Sequence, residues 1–314
     1  MNYFSISRII SQIIFLSTHL MKAFFAHHKV DNPVNKRKKI KHRRDCAIII
    51  THFRRLSMKK ILILNGSFRK GNTDKTLVPV REALSEKETE IREFMIRDLI
   101  DTRCYGCALA ITKGKEFCPT YETEKELLRQ LEWCDALIIA SPVYNGRETF
   151  IIKAMFDKFA FLVHRPRFFN KKAMVIVTRG NMFSAAIKYI SKTLSQWGFH
   201  VTVKCGEPEL PVLKNHLVPK TVQKIRNKTN RFYHSLDSAG KTPGIGDKLW
   251  FEVWKLNAEM GEKGNKTDFN YWKENGWFES DYYYDTRINP VSRLISSILR
   301  PVIKGQMKKT FKGY

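Results

Sequence analysis

Between residues 58 and 205, short apolar runs alternate with stretches of helical periodicity. The runs predict strands over 60–65, 90–96, 136–141, 173–178 and 199–204. The stretches between them predict helices over 73–86, 122–133, 148–162 and 182–197. Strand–helix alternation implies parallel strands joined by crossover helices on both faces of one sheet. Right-handed crossovers then allow a five-stranded, doubly wound α/β domain. A further helix over 216–238 closes it. Segment 98–121 is long for a plain crossover and reads as an insertion covering the ligand edge.

Two loops carry the chemistry. Ile61-Leu62-Ile63-Leu64 ends abruptly in Asn65-Gly66-Ser67, and Gly71-Asn72-Thr73 opens a helix near Asp74. A strand, a tight turn and a hydroxyl-rich helix start make a phosphate cradle, because the first helical N–H groups have no intrahelical partner and the dipole there is positive. Ser67, Asn72 and Thr73 add side-chain donors, Arg69 adds a charge that pairs with phosphate oxygens, and Gly71 punctuates the helix start. The alternative is an ordinary strand–turn–helix whose Ser and Thr only cap the helix. The spacing matches neither a Walker loop nor Gly-x-Gly-x-x-Gly. A second loop, Ser141-Pro142-Val143-Tyr144-Asn145-Gly146, follows the run Ala136–Ala140. Loops at the carboxyl ends of neighbouring parallel strands face one crevice, where open α/β sheets bind ligands. There Pro142 stiffens the chain, Tyr144 offers an aromatic face, and the peptide groups from Val143 to Gly146 can bond the edge of a planar heterocycle.

These two loops, in this order, resemble those of the flavodoxin-like NAD(P)H-dependent FMN reductases, including relatives of the iron–sulfur flavoproteins. The segment Ile152-Lys153-Ala154-Met155-Phe156-Asp157-Lys158 resembles the family's helix after the second loop. The resemblance covers roughly residues 58–205. It implies the strand order 2-1-3-4-5, FMN as cofactor, its phosphate on the first loop and its ring on the second. Thr178-Arg179-Gly180 matches the position of the family's third flavin loop, which is often richer in Gly. By the same resemblance, hydride from NAD(P)H enters at flavin N5 and electrons pass to a small acceptor such as a quinone, a flavin or a nitro compound. Subunits of the family commonly pair, so a homodimer is expected.

Cys104-Tyr105-Gly106-Cys107 is a C-x-x-C, with Cys118 eleven residues further on. Iron–sulfur relatives carry four closely spaced cysteines in this region, and Ala110 stands where a third is expected here. Three thiols do not complete a four-thiolate cluster. The open readings are small apolar side chains packed beside the flavin, a redox pair, and a metal site. Nothing in the cysteine usage points to secreted disulfides, and a reducing cytoplasm fits better.

The formal net charge is +26. Residues 1–57 carry twelve Lys/Arg against two Asp, including the block Lys-Arg-Lys-Lys-Ile-Lys-His-Arg-Arg at 36–44. They are expected to form a disordered, solvated extension rather than a specific nucleic-acid site. Met58 directly before the first strand suggests that the natural protein starts there; an amphipathic anchor is the alternative. The flavin domain is expected over 58–240 and a helical extension over 241–314. Residues 246–283 are rich in Trp, Tyr and Phe, which fits packing or a dimer interface better than nucleobase stacking. Val291, Leu294, Ile295, Ile298, Leu299, Val302 and Ile303 recur at helical spacing among Arg and Lys, with Pro301 expected to kink or divide the helix. That stripe fits either a helix on an anionic membrane surface or one docked on the protein.

No Ser-His-Asp or paired-carboxylate site is apparent, and none is needed where a flavin carries the chemistry. The competing reading is a noncatalytic flavodoxin-like electron carrier serving protein partners.

Overall fold

The computed structural model describes residues 58–100, 103–178, 183–207, 212–213 and 216–312. The N-terminal extension 1–57 lies outside them. Two compact units emerge: residues 58–241 with Lys263–Tyr271, and Thr242–Glu262 with residues 272–312.

In the first unit, β1 (Lys59–Asn65) leads through a six-residue loop to α1 (Asn72–Ser85) and then β2 (Thr89–Met95). Among its described residues the insertion holds only short helical turns, among them α2 (Leu109–Thr112). α3 (Tyr121–Trp133), β3 (Ala136–Pro142), α4 (Phe150–Lys158), α5 (Phe161–His164), β4 (Lys172–Thr178), α6 (Phe183–Gln196) and β5 (His200–Glu207) follow. A two-residue hairpin, β6 (Val212–Leu213) and β7 (His216–Leu217), precedes α7 (Pro219–Ser235). All pairs in the main sheet are parallel, in the order β2-β1-β3-β4-β5. This is the flavodoxin-like doubly wound arrangement, and its order reverses between β1 and β3.

The middles of the central strands, Ile61–Leu64 of β1, Ala136–Ala140 of β3 and Ala173–Val177 of β4, are apolar without interruption because helices cover both faces. Ile61, Ile63, Ile138, Met174, Ile176 and Cys205 face α1 and α7 through Leu77, Val80, Leu84, Ile225 and Phe232. The helix expected over 148–162 is two. Phe156 and Phe159 both pack edge-on against Trp197, at 5.3 and 5.9 Å between centroids, and the chain turns at Phe159–Ala160 between α4 and α5. Beneath α4, Lys158 forms an ion pair with Glu124 of α3, with both side chains almost wholly buried. Thr120 completes it, its hydroxyl taking a bond from Lys158 Nζ at 2.8 Å.

The second unit is built on α8 (Ile245–Met260). Its Phe251 ring lies against Trp272, Tyr282 and Tyr283, so these aromatic faces are used on one another. α9 (Lys266–Glu274), whose residues up to Tyr271 count with the first unit, precedes a turn-rich stretch, and α10 (Pro290–Lys312) ends the described residues. α10 is one helix through Pro301, so of the expected kink or division the division does not occur. Proline frees the carbonyl four residues earlier; here that residue is Ser297, which is exposed, so water can satisfy it.

Candidate functional site

The first loop is organised from within. Asn65 Oδ1 accepts the Ser67 N–H at 2.9 Å, and the Ser67 hydroxyl donates to Arg69 O at 2.8 Å. Ser67 is therefore buried and holds the loop's shape, while Phe68, Arg69 and Lys70 point outward. The Arg97 guanidinium bonds Phe68 O from the β2 side. Gly71 precedes α1 without any side-chain cap. Lys75 N returns to Gly71 O at 3.0 Å. The N–H groups of Asn72, Thr73 and Asp74 make no bond among the described residues, as the first turn of a helix leaves them. Arg69 and Lys70 make no ion pair there either, so the loop presents donors and positive charge together.

The second loop is a hairpin turn rather than an open ribbon. Tyr144 and Arg147 exchange two N–H···O bonds at 3.0 Å each. Asn145 and Gly146 both have positive φ, 51° and 76°. Two successive left-handed residues define a type I′ turn, for which Asn-Gly is the favoured pair. Val143 N is also engaged, donating to Thr178 O at 3.1 Å. Of the peptide donors expected to face a ligand, those of Asn145 and Gly146 alone remain unused among the described residues. Pro142 and Val143 are buried supports, and Tyr144 is 50% exposed beside the turn.

The loops are joined to each other. Gly66 N donates to Ala140 O at 2.8 Å, and the Thr149 hydroxyl donates to Gly66 O at 2.8 Å. Ser141 Oγ accepts the Thr149 N–H at 3.4 Å. At the outer rim, Phe68 stacks on Phe150, 4.7 Å between centroids and 21° between planes. The Thr73 and Thr178 hydroxyls lie 2.8 Å apart, tying α1 to the end of β4. Both are buried, and of such a pair the accepting hydroxyl keeps its own proton. Arg179 and Gly180 lie outside the described residues.

Sequence reasoning missed Thr149, Asn65 and the packing role of Gly66. Thr149 stands where an N-cap belongs, directly before α4. Its side chain makes no cap bond and reaches Gly66 instead, which no local pattern signals. A Cβ on Gly66 would stand 2.5 Å from Ile152 Cδ1 and 3.2 Å from Ala140 O, so only hydrogen fits between β1 and α4.

The insertion is anchored by buried charge. The Arg165 guanidinium takes the carbonyls of Ala110 and Ile111 and lies 3.4 Å from Asp268. His164 Nδ1 is 2.7 Å from the same carboxylate. Burial pulls Arg165 below its ordinary value, with Asp268 opposing. Cys104 and Cys107 are exposed and Cys118 is half-buried. Among the described residues no group of three or more His, Cys, Asp or Glu is placed to hold a metal ion. With Ala110 interrupting the thiol series, the donor set does not fit a four-thiolate iron–sulfur cluster.

The family model for NADPH-dependent FMN reductase matches residues 59–208. An iron-sulfur flavoprotein of Archaeoglobus fulgidus is 25% identical over 225 residues, which is 70% of this chain and 100% of that protein. An iron-sulfur flavoprotein of Methanocaldococcus jannaschii is 29% identical over 100 residues, 32% of this chain and 51% of that protein. A solved NADH:FMN oxidoreductase in its apo form is 22% identical, covering 58% of this chain and 91% of its own, with a TM-score of 0.44. Residues 59–208, which hold both loops and all five parallel strands, match the family of NADPH-dependent FMN reductases.

Proposed function

We propose that the mouth between the β1 and β3 loops holds FMN and that the chain is an NAD(P)H-dependent flavin oxidoreductase acting on a small acceptor, such as a quinone, a flavin or a nitro compound. The observation that carries this reading is that two sets of unused N–H groups, at Asn72–Asp74 and at Asn145–Gly146, sit on loops joined by the Thr149–Gly66 bond. A phosphate monoester suits the first set, where the helix dipole and Arg69 add positive charge. The acceptor-bearing edge of a flat ring suits the second.

Each residue then has a role it can perform as placed. Ser67 and Gly71 shape the phosphate loop, and Asn72 and Thr73 donate to the anion. The proton left over on the Thr73–Thr178 pair is available to a ligand oxygen. Pro142 and Val143 hold the I′ turn against β4, Asn145 and Gly146 present donors, and Tyr144 flanks the ring. Arg179 and Gly180 complete this reading as the third loop. FMN, when bound, supplies two-electron acceptance from NAD(P)H and delivery to the acceptor. The side chains supply orientation and charge, so no acid–base residue is assigned. Homodimerisation enters on the resemblance to the family and a cytoplasmic location on the cysteine usage; sedimentation checks the first and fractionation of the source cells the second.

The test is to supply FMN to the purified chain, remove unbound flavin, and add NADPH or NADH without air. Rapid bleaching of the visible flavin band is expected. Bound flavin that does not bleach would assign the chain to electron carriage between proteins, and failure to retain FMN would overturn the proposal.

A further inference from the structure

Helix α10 carries two apolar lines, not one. At about 100° per residue, Leu299, Ile303 and Met307 share one side, and they pack on Leu249, Val253 and Leu256 of α8. Ser292 and Ser296 extend that side and are buried. Leu294, Ile298 and Val302, spaced four apart, fall on the opposite side and are 51%, 60% and 52% exposed. Gly305 continues the outer line, and a Cβ placed there would meet nothing within 4 Å. A solvated helix face carries polar residues at such positions. This one carries three branched aliphatics in a row.

The charge on α10 is divided between the same two sides. Arg300 turns inward and bonds Glu252 and Glu259 of α8. Lys304, Lys308 and Lys309 are exposed and make no ion pair among the described residues. The helix contains no Asp or Glu. A second copy of α10 laid parallel on this face would bring these lysines together, and one laid antiparallel would offer them no acid, since neither helix has one. An anionic surface would offset them. No helix among the described residues is long and apolar enough to cross a membrane, so an apolar line with basic flanks is suited to lying in the interface plane.

We propose that the outer face of α10 docks on an anionic lipid bilayer. Leu294, Ile298 and Val302 enter the boundary between headgroups and acyl chains, and Lys304, Lys308 and Lys309 pair with lipid phosphates. This is independent of the flavin reading, since the face belongs to the unit built on α8.

The test is co-sedimentation of the full chain with vesicles of phosphatidylcholine alone and of equal parts phosphatidylcholine and phosphatidylglycerol. Because the whole chain is strongly basic, the informative variant is Leu294→Ser/Ile298→Ser/Val302→Ser, which keeps every charge. It should bind the mixed vesicles at least about tenfold more weakly than the parent. Lys304→Gln/Lys308→Gln/Lys309→Gln keeps the apolar line, and it should bind the mixed vesicles more weakly than the parent and with a shallower salt dependence. Equal binding by parent and serine variant would overturn the proposal, because adsorption would then belong to the basic surface at large. A lipid-free parent dimer that the serine variant dissociates would also overturn it, assigning the face to contact between copies.

Discussion

Replacing Gly66 by Ala tests whether the two binding loops are positioned by contact between β1 and α4. The added Cβ would stand 2.5 and 2.6 Å from Ile152 Cδ1 and Cγ1. Carbon atoms prefer about 3.5–4.0 Å, so the overlap is about 1 Å. Ile152 is fully buried, so the overlap must be relieved within the packed interior. Overpacking of this kind costs about 1–3 kcal/mol, against a gain of about 0.4–1 kcal/mol from stiffening the unfolded chain. Gly66→Ala should therefore destabilise by a net of about 1–2 kcal/mol, read as a lower urea midpoint by circular dichroism at unchanged slope. Ile152→Ala alone should cost about 2–5 kcal/mol. The double variant should be more stable than the sum of the two predicts, because the side chain that clashes is gone and the new methyl partly fills the cavity. Additivity within about 0.5 kcal/mol would refute the reasoning, since residues in contact couple by more than that.

Lys158→Met leaves Glu124 buried without its partner and should cost about 3–5 kcal/mol, while Lys158→Met/Glu124→Leu should recover most of it in the same urea assay. Thr149→Val removes the bond to Gly66 O, should destabilise by about 1–3 kcal/mol, and should weaken FMN retention in equilibrium dialysis. Arg69→Ala should weaken FMN binding about fivefold without altering the shape of the flavin spectrum; unchanged affinity would show that the phosphate is placed wrongly. Burial pushes the Cys134 thiol up to about 12 from 9.0. The unfolded chain then releases this proton first, so stability should fall as pH rises from 9.0 towards 12, by at most about 1.4 kcal/mol per pH unit. Cys134→Ala should lack that component of the slope. Iodoacetamide at neutral pH should label exposed Cys104 and Cys107 and spare Cys134, as mass spectrometry would show.

Much of the α/β domain was legible because its signals are local. Runs such as Ile61–Leu64 and Ala136–Ala140 state that both faces of a strand are covered, and Asn65-Gly66-Ser67 and Asn145-Gly146 mark where those strands stop. Periodicity placed the long helices to within a few residues. It joined α4 and α5 into one helix because no glycine or proline marks the break at Phe159–Ala160. The resemblance, not the alternation of elements, supplied the strand order that the sheet displays.

The sequence by itself determined which segments become strands, helices and donor-rich loops, since each choice depends on residues a few positions apart. Tertiary structure alone decided what those loops do with their donors. It sent the Thr149 hydroxyl to Gly66 instead of the cap of α4, paired Thr73 with Thr178, and used up the N–H group of Val143 on Thr178 O. It likewise divided the one apolar stripe of α10 into a side covered by α8 and a side left open. Each of these outcomes depends on atoms brought together from distant parts of the chain, and a spacing rule reports only what a residue's near neighbours are.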